Sequence, residues 1–151
     1  MNPWAGISLT ATTSTGNLEQ LFPTYFPTGS AATTPGTLKR KTANGTLFSA
    51  QVETNGIEGG ILQLWDIAGD WAGANINTAT TITNAELVAA QAAGRAHLIW
   101  EQNFTGSSGA SLKGTSPRTF MFGLAARFIG SGGTCSLNLS VDGGCRLTEL
   151  A

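Results

Sequence analysis

Phe120-Met121-Phe122-Gly123-Leu124-Ala125-Ala126-Arg127-Phe128 carries the clearest pattern in the chain. Phe120, Phe122, Leu124, Ala126 and Phe128 take alternate positions, with Met121, Gly123, Ala125 and Arg127 between them. Successive side chains of a β-strand point to opposite faces, so a period of two marks a strand with one face buried. The next segment repeats the pattern: Cys135, Leu137, Leu139 and Val141 alternate with Ser136, Asn138 and Ser140. Two neighbouring strands of this kind point to antiparallel β-structure.

Upstream, Leu98, Trp100, Gln102 and Phe104 alternate along a further strand, and Phe48, Ala50 and Val52 along another. The segment Ile61-Leu62-Gln63-Leu64-Trp65-Asp66-Ile67 is apolar on both faces and reads as a central strand. Asn44-Gly45 between strand-like residues 38–42 and 47–54 is the strongest short hairpin signal and predicts a tight turn. Asp142-Gly143-Gly144 predicts a second turn that returns the chain into residues 145–150. Residues 70–81 and 105–117 read as loops. One helix is expected over residues 85–93, because Thr83-Asn84-Ala85-Glu86 matches a capping box before an Ala-rich run and Gly94 stops it. The predicted fold is all-β: an antiparallel β-sandwich or jelly-roll-like domain with one short helix.

Residues 1–36 differ from the rest. They contain no Lys or Arg, one acidic residue, Glu19, and four of the five prolines, Pro3, Pro23, Pro27 and Pro35. Proline fixes φ, and the residue before it is pushed extended. The segment is therefore expected to be an extended Pro/aromatic N-terminal arm, with the β-sandwich domain over residues 37–151. Its aromatics need a surface, either the chain's own body or a neighbour. Trp4, Phe22, Tyr25 and Phe26, with Trp71 on the 70–81 loop, are the candidate interface residues, since aromatics favour interface cores. Packing over the chain's own core is the competing role. Trp65 and Trp100 lie within strands and are assigned to the core.

Composition narrows the function classes. Of 151 residues 41% are hydrophobic and only 11% charged, against about 25% charged in average domains. Few charges remain to keep copies apart in solution, which favours a homo-oligomeric or assembled chain. The net charge of −1 gives no field for nucleic acid. The short run Lys39-Arg40-Lys41 reads as a solvated strand edge that discourages unwanted pairing. No apolar run approaches the roughly 18 residues of a membrane helix, and no Lys/Arg-led apolar segment suggests a secretory signal. No membrane partner is expected.

No catalytic, cofactor-binding or metal-binding set is expected. His97 is the one histidine, placed at a helix-to-strand junction. The Gly-rich pieces at 56–60 and 130–133 fit turns and match no phosphate-binding pattern. Asp66 and Asp70 could serve glycoside hydrolysis or calcium binding, but loop capping by Asp is the better assignment. With a three-residue loop at 142–144, Val141 faces Cys145 and Cys135 faces the C-terminal end of the chain. Cys135 and Cys145 are then too far apart to bond, and two separate buried thiols are expected.

Taken in order, the Leu38-Lys39-Arg40 strand after a Thr/Gly-rich arm, the strand ending in Trp65-Asp66, the aromatic strand with Gly123-Leu124 and a Thr/Cys/Val-rich closing pair resemble small β-sandwich proteins of tailed-phage structural gene clusters. Those are head-decoration or cement proteins and related virion components. The resemblance covers roughly residues 37–141, and the helix and long loops depart from the shortest members. It implies a non-enzymatic virion protein, made in the host cytoplasm, that forms a dimer or trimer and binds a major capsid or other virion protein. The alternative is a carbohydrate- or receptor-binding module of a fibre or tail tip, with Trp71 stacking on sugar near Asp66 and Asp70.

Overall fold

The computed structural model describes residues 2–3, 7–10, 16–22, 39–56, 59–68, 81–106, 109–112, 117–130 and 132–149. In chain order the strands are β1 (Asn2–Pro3), β2 (Ile7–Thr10), β3 (Leu18–Phe22), β4 (Lys39–Asn55), β5 (Gly60–Asp66) and β6 (Thr81–Ile82). Helix α1 (Asn84–Ala92) follows, then β7 (His97–Phe104), β8 (Gly109–Leu112), β9 (Arg118–Phe120), β10 (Leu124–Gly130) and β11 (Thr134–Glu149). They form two antiparallel sheets. In the first, β11 and β4 are the spine, with β1 and β2 on the outer side of β11 and β8 and β9 on the outer side of β4. The second runs β6-β3-β10-β5-β7. The all-β prediction holds.

The two sheets face each other across one core, sandwich-like. The first contributes Leu47, Ala50, Val52, Phe120, Leu137, Leu139 and Val141; the second contributes Leu21, Leu62, Leu64, Phe104, Leu124 and Phe128. Phe104 and Phe128 meet edge to face at 6.3 Å, a favoured aromatic geometry. The outer face of the second sheet is covered by α1 through Leu87 and Ala90, which join Leu18, Trp65, Ile67, Ile82 and Ala125. The helix begins as expected. Thr83 Oγ1 accepts from Glu86 N at 3.2 Å, Glu86 Oε2 accepts from Thr83 N at 2.7 Å, and Gly94 follows with φ +71°.

Residues 1–36, expected as an arm, contribute three strands in their described parts. β2 pairs with β11, β1 pairs with β11, and β3 pairs with both β10 and β6. Leu18 and Leu21 are buried, so β3 belongs to the chain's own core.

Neither predicted tight turn exists. β4 and β11 pair from Asn55–Thr134 to Lys39–Glu149 with a single bulge at Phe48, and Gly45 lies opposite Gly143 with Asn44 opposite Gly144. A hairpin turn of the Asn-Gly type needs positive φ, yet the positive-φ glycines among the described residues are Gly16, Gly56, Gly94, Gly132 and Gly133. The two turn signatures meet in register inside a long strand pair. Gly45 also pairs with Phe120 of β9 on its other side, and a ladder on both sides outweighs a local turn preference. Cys135 and Cys145 consequently lie on one strand, ten residues and about 33 Å apart. They cannot bond to each other, though for a different reason than the hairpin register supplied. Cys135 is a buried free thiol, and burial pushes its pKa up to about 12.

Two bulges reset the side-chain phase. Between Ser140 and Val141 the register skips Phe48, so Leu47 rather than Phe48 is fully buried. Between Leu64 and Trp65 it skips Ile99, which is buried while Leu98, which shares the alternation of Trp100 and Phe104 in the sequence, is exposed. The 105–117 loop contains β8, paired to β4. The 120–128 alternation is also two strands rather than one: β9 lies in the first sheet and β10 in the second, and the chain changes sheets at residues 121–123.

Candidate functional site

The sheet change is held by one carboxylate. Asp66 ends β5 and is 4% exposed. Its Oδ2 accepts from Met121 N at 2.9 Å, and its Oδ1 accepts from Phe122 N at 2.9 Å and from Gly123 N at 3.3 Å. Ile67 N donates back to Gly123 O at 3.3 Å. The buried Gln20 amide donates to Ile67 O at 3.1 Å and to Leu124 O at 3.2 Å. Backbone amides at a sharp corner lose their ladder partners and must find others. A carboxylate satisfies three of them with charge-assisted bonds. Asp66 therefore caps the loop. Asp70 lies outside the described residues.

Beside this corner an open cleft of about 420 Å³ lies between the start of β7 and the strand β9. Asp66, His97, Leu98, Pro117, Arg118 and Met121 are among the residues that line it. His97 sits at the helix-to-strand junction as expected, is exposed, and stacks on Phe122 with ring centres 6.4 Å apart. Arg118 reaches from the first sheet to the second and donates from Nη1 to Ile99 O at 3.2 Å. Ile99 is the bulged residue, where the ladder is locally disrupted, and the guanidinium takes up its carbonyl. Leu98 is 46% and Met121 66% exposed, two of the three large apolar side chains so exposed among the described residues.

A second polar cluster lies on the outer face of the second sheet. Arg127 donates from Nε to Gln63 Oε1 at 2.7 Å, and from Nη1 to Gly16 O and to Asn84 Oδ1, both at 2.9 Å. Its guanidinium lies 5.9 Å from the centre of the Trp65 ring. Burial draws its pKa below the ordinary value, while Glu101 opposes that shift. Gln63 also accepts from Trp65 Nε1 at 3.0 Å and donates to Glu101 Oε2 at 2.6 Å. Arg127 thus joins the segment before β3, the start of α1 and strand β5. Its Nε and Nη1 donors are engaged with structural partners, and the cluster is a pin.

Of the interface candidates, Trp4, Tyr25, Phe26 and Trp71 lie outside the described residues. Phe22 ends β3 opposite Leu124 in the backbone register, and its side chain is not among those described. The residues that do form an exposed apolar site, Leu98 and Met121, were absent from the sequence candidates. Met121 was legible as an apolar residue on the outward face of an alternating strand. Leu98 was not, because only the bulge at Ile99 turns it out. Among the described residues no three His, Cys, Asp or Glu side chains gather as metal ligands would, and no helix is long and apolar enough to cross a membrane. No protein-family model matches the chain, and no curated protein matches it significantly.

Proposed function

We propose that this chain is a structural subunit of a virion, of the capsid-decoration or cement type, that binds copies of itself and an assembled protein lattice through repeated contacts. The observation that carries the proposal is the exposed Leu98–Met121 pair at a cleft beside β7, which ends the second sheet among the described residues. The cleft's one carboxylate already accepts three amide bonds, leaving an apolar rim with Arg118 and His97 as the surface on offer. An edge strand next to such a rim suits strand addition and apolar burial together. Each contact is weak, and a lattice multiplies it through effective concentration.

Sedimentation velocity on the purified chain, with and without Leu98→Ser and Met121→Ser, tests the self-contact. Re-burying the exposed parts of the two side chains contributes about 2 kcal/mol. The double variant should therefore associate roughly 30-fold more weakly. Co-sedimentation with assembled capsids lacking the protein tests the lattice contact and should give saturable, symmetric occupancy. A chain that stays monomeric and leaves capsids bare would sink the proposal.

A further inference from the structure

Beyond Gly45, β4 has no partner among the described residues except β11, and beyond Val141, β11 has none except β4. Six consecutive pairs, Asn44–Gly144 through Lys39–Glu149, form a two-stranded ribbon, about 20 Å long at the usual rise per residue. A two-stranded ribbon alone is marginally stable in water, and a further surface would steady it.

Its charge says which. The ribbon holds Lys39, Arg40, Lys41 and Arg146, four of the eight basic residues of the chain, and only Glu149 of the nine acidic ones. It carries +3, and since the chain carries −1 the remainder carries −4. Among the remainder, Glu19, Glu53, Glu101 and Asp142 are exposed. The run Lys39-Arg40-Lys41, which the sequence reads as a solvated edge, is thus concentrated with Arg146 on one strand pair of a chain whose remainder has the opposite sign.

We infer that the ribbon of one copy docks on the acidic body of a second copy, in a head-to-tail contact. The inference rests on reading the chain as a repeated subunit, and it names a contact separate from the Leu98–Met121 cleft. Two ribbons repel each other, so the contact joins unlike surfaces. A contact of that kind closes into a ring or extends into an array. A nucleic acid would meet the same ribbon but be repelled by the body.

The test uses the full chain without capsids. Sedimentation velocity is run from about 0.01 M to about 1 M salt, over which the screening length falls from about 30 Å to about 3 Å. The wild-type chain should associate at low salt, and its dissociation constant should rise roughly tenfold or more across the series. The K39E/R40E/K41E variant should lose the salt-dependent part of that association and self-associate equally weakly at every salt concentration through the cleft contact alone, with an unchanged circular dichroism spectrum. The K39Q/R40Q/K41Q variant, free of reversed charge, should fall between the two and guards against a ribbon lost to misfolding. Because the reversed variant keeps its acidic body, it should still form a complex with the wild-type chain. Association indifferent to both variants overturns the inference while leaving the cleft contact standing. So does a wild-type chain that stays monomeric but binds a fluorescein-labelled DNA duplex through the ribbon. Salt-sensitive association without capsid binding supports the inference and removes the lattice proposal instead.

Discussion

Replacing Asp66 by Asn keeps the shape of the side chain and removes its charge. In the native corner Oδ1 accepts from Phe122 N and Gly123 N, and Oδ2 from Met121 N. The amide oxygen of Asn can keep one site, at the reduced strength of a neutral acceptor. Hydrogen bonds to charged groups contribute about 1.5–3 kcal/mol against about 1 kcal/mol for neutral ones, so two weakened bonds lose about 1–4 kcal/mol. At the other site an NH₂ group faces the Met121 N–H, donor to donor. An orphaned buried donor costs about 1–3 kcal/mol. Relief of the desolvation of a carboxylate that is 4% exposed offsets part of the sum, and Asp66→Asn should destabilise the fold by about 3 kcal/mol. Urea titration followed by tryptophan fluorescence, with Trp65 buried next to the altered residue, reads this as a lowered midpoint at unchanged slope. Thermal unfolding should move down by about 6–12 °C for a chain of this size. A loss below about 0.5 kcal/mol, no more than an ordinary surface change, would refute the assignment of Asp66 as the element that holds the sheet change.

Three further outcomes follow from the geometry. Thr83→Ala removes the hydroxyl acceptor of the capping box and should cost about 1 kcal/mol by urea titration. Because Leu87 and Ala90 dock α1 on the second sheet, the loss should appear in the global transition. Gly130→Ala places a Cβ 2.7 Å from Gly59 O, a backbone atom that cannot swing aside. It should cost about 1–3 kcal/mol, whereas a change below about 0.5 kcal/mol would mean the two backbones lie further apart. Cys135, with its pKa raised from 9.0 to about 12, should resist a thiol reagent in the native state and react on unfolding. Above pH 9 the unfolded chain releases that proton while the folded chain keeps it. Stability should therefore fall by up to about 1.4 kcal/mol per pH unit towards pH 12, a slope that Cys135→Ala should abolish.

The strands, the helix and most of the core were legible because each rests on local pattern. Cys135, Leu137, Leu139 and Val141 are buried as their alternation requires, and Thr83 caps α1 as its spacing to Glu86 requires. What was illegible depends on partners distant in sequence. Asn44-Gly45 is a turn signal only if residues 38–42 find 47–54. Here β4 finds β11 instead, and no local property of Asn44 or Gly45 reveals the competitor. The sheet change within 120–128 was hidden for a related reason. Phe120 and Leu124 both face the common core, so one alternation spans two strands in two sheets. The outward turn of Leu98 was hidden because a bulge leaves no mark in a hydrophobicity pattern. The role of Asp66 was legible as loop capping, but not the identity of the loop, which lies 55 residues away at Met121.

The long strand pair also sets an order of events. Its inner end joins Asn55 to Thr134, closing a loop of roughly eighty residues that holds most of the second sheet, and loop closure becomes only slowly more costly with length. The closure cost therefore falls on the first pairs, where Gly56 and Gly133 approach, and every later pair adds without a new loop. Loop-closure cost predicts pairing that runs from Asn55–Thr134 outwards, and native-state hydrogen exchange should then find the amides near Lys39–Glu149 the least protected of the ladder. A topology dominated by such distant pairings folds slowly. On that order the pairs around Lys39–Glu149 close last and open first, so the most basic stretch of β4 is the last part of the ladder to form.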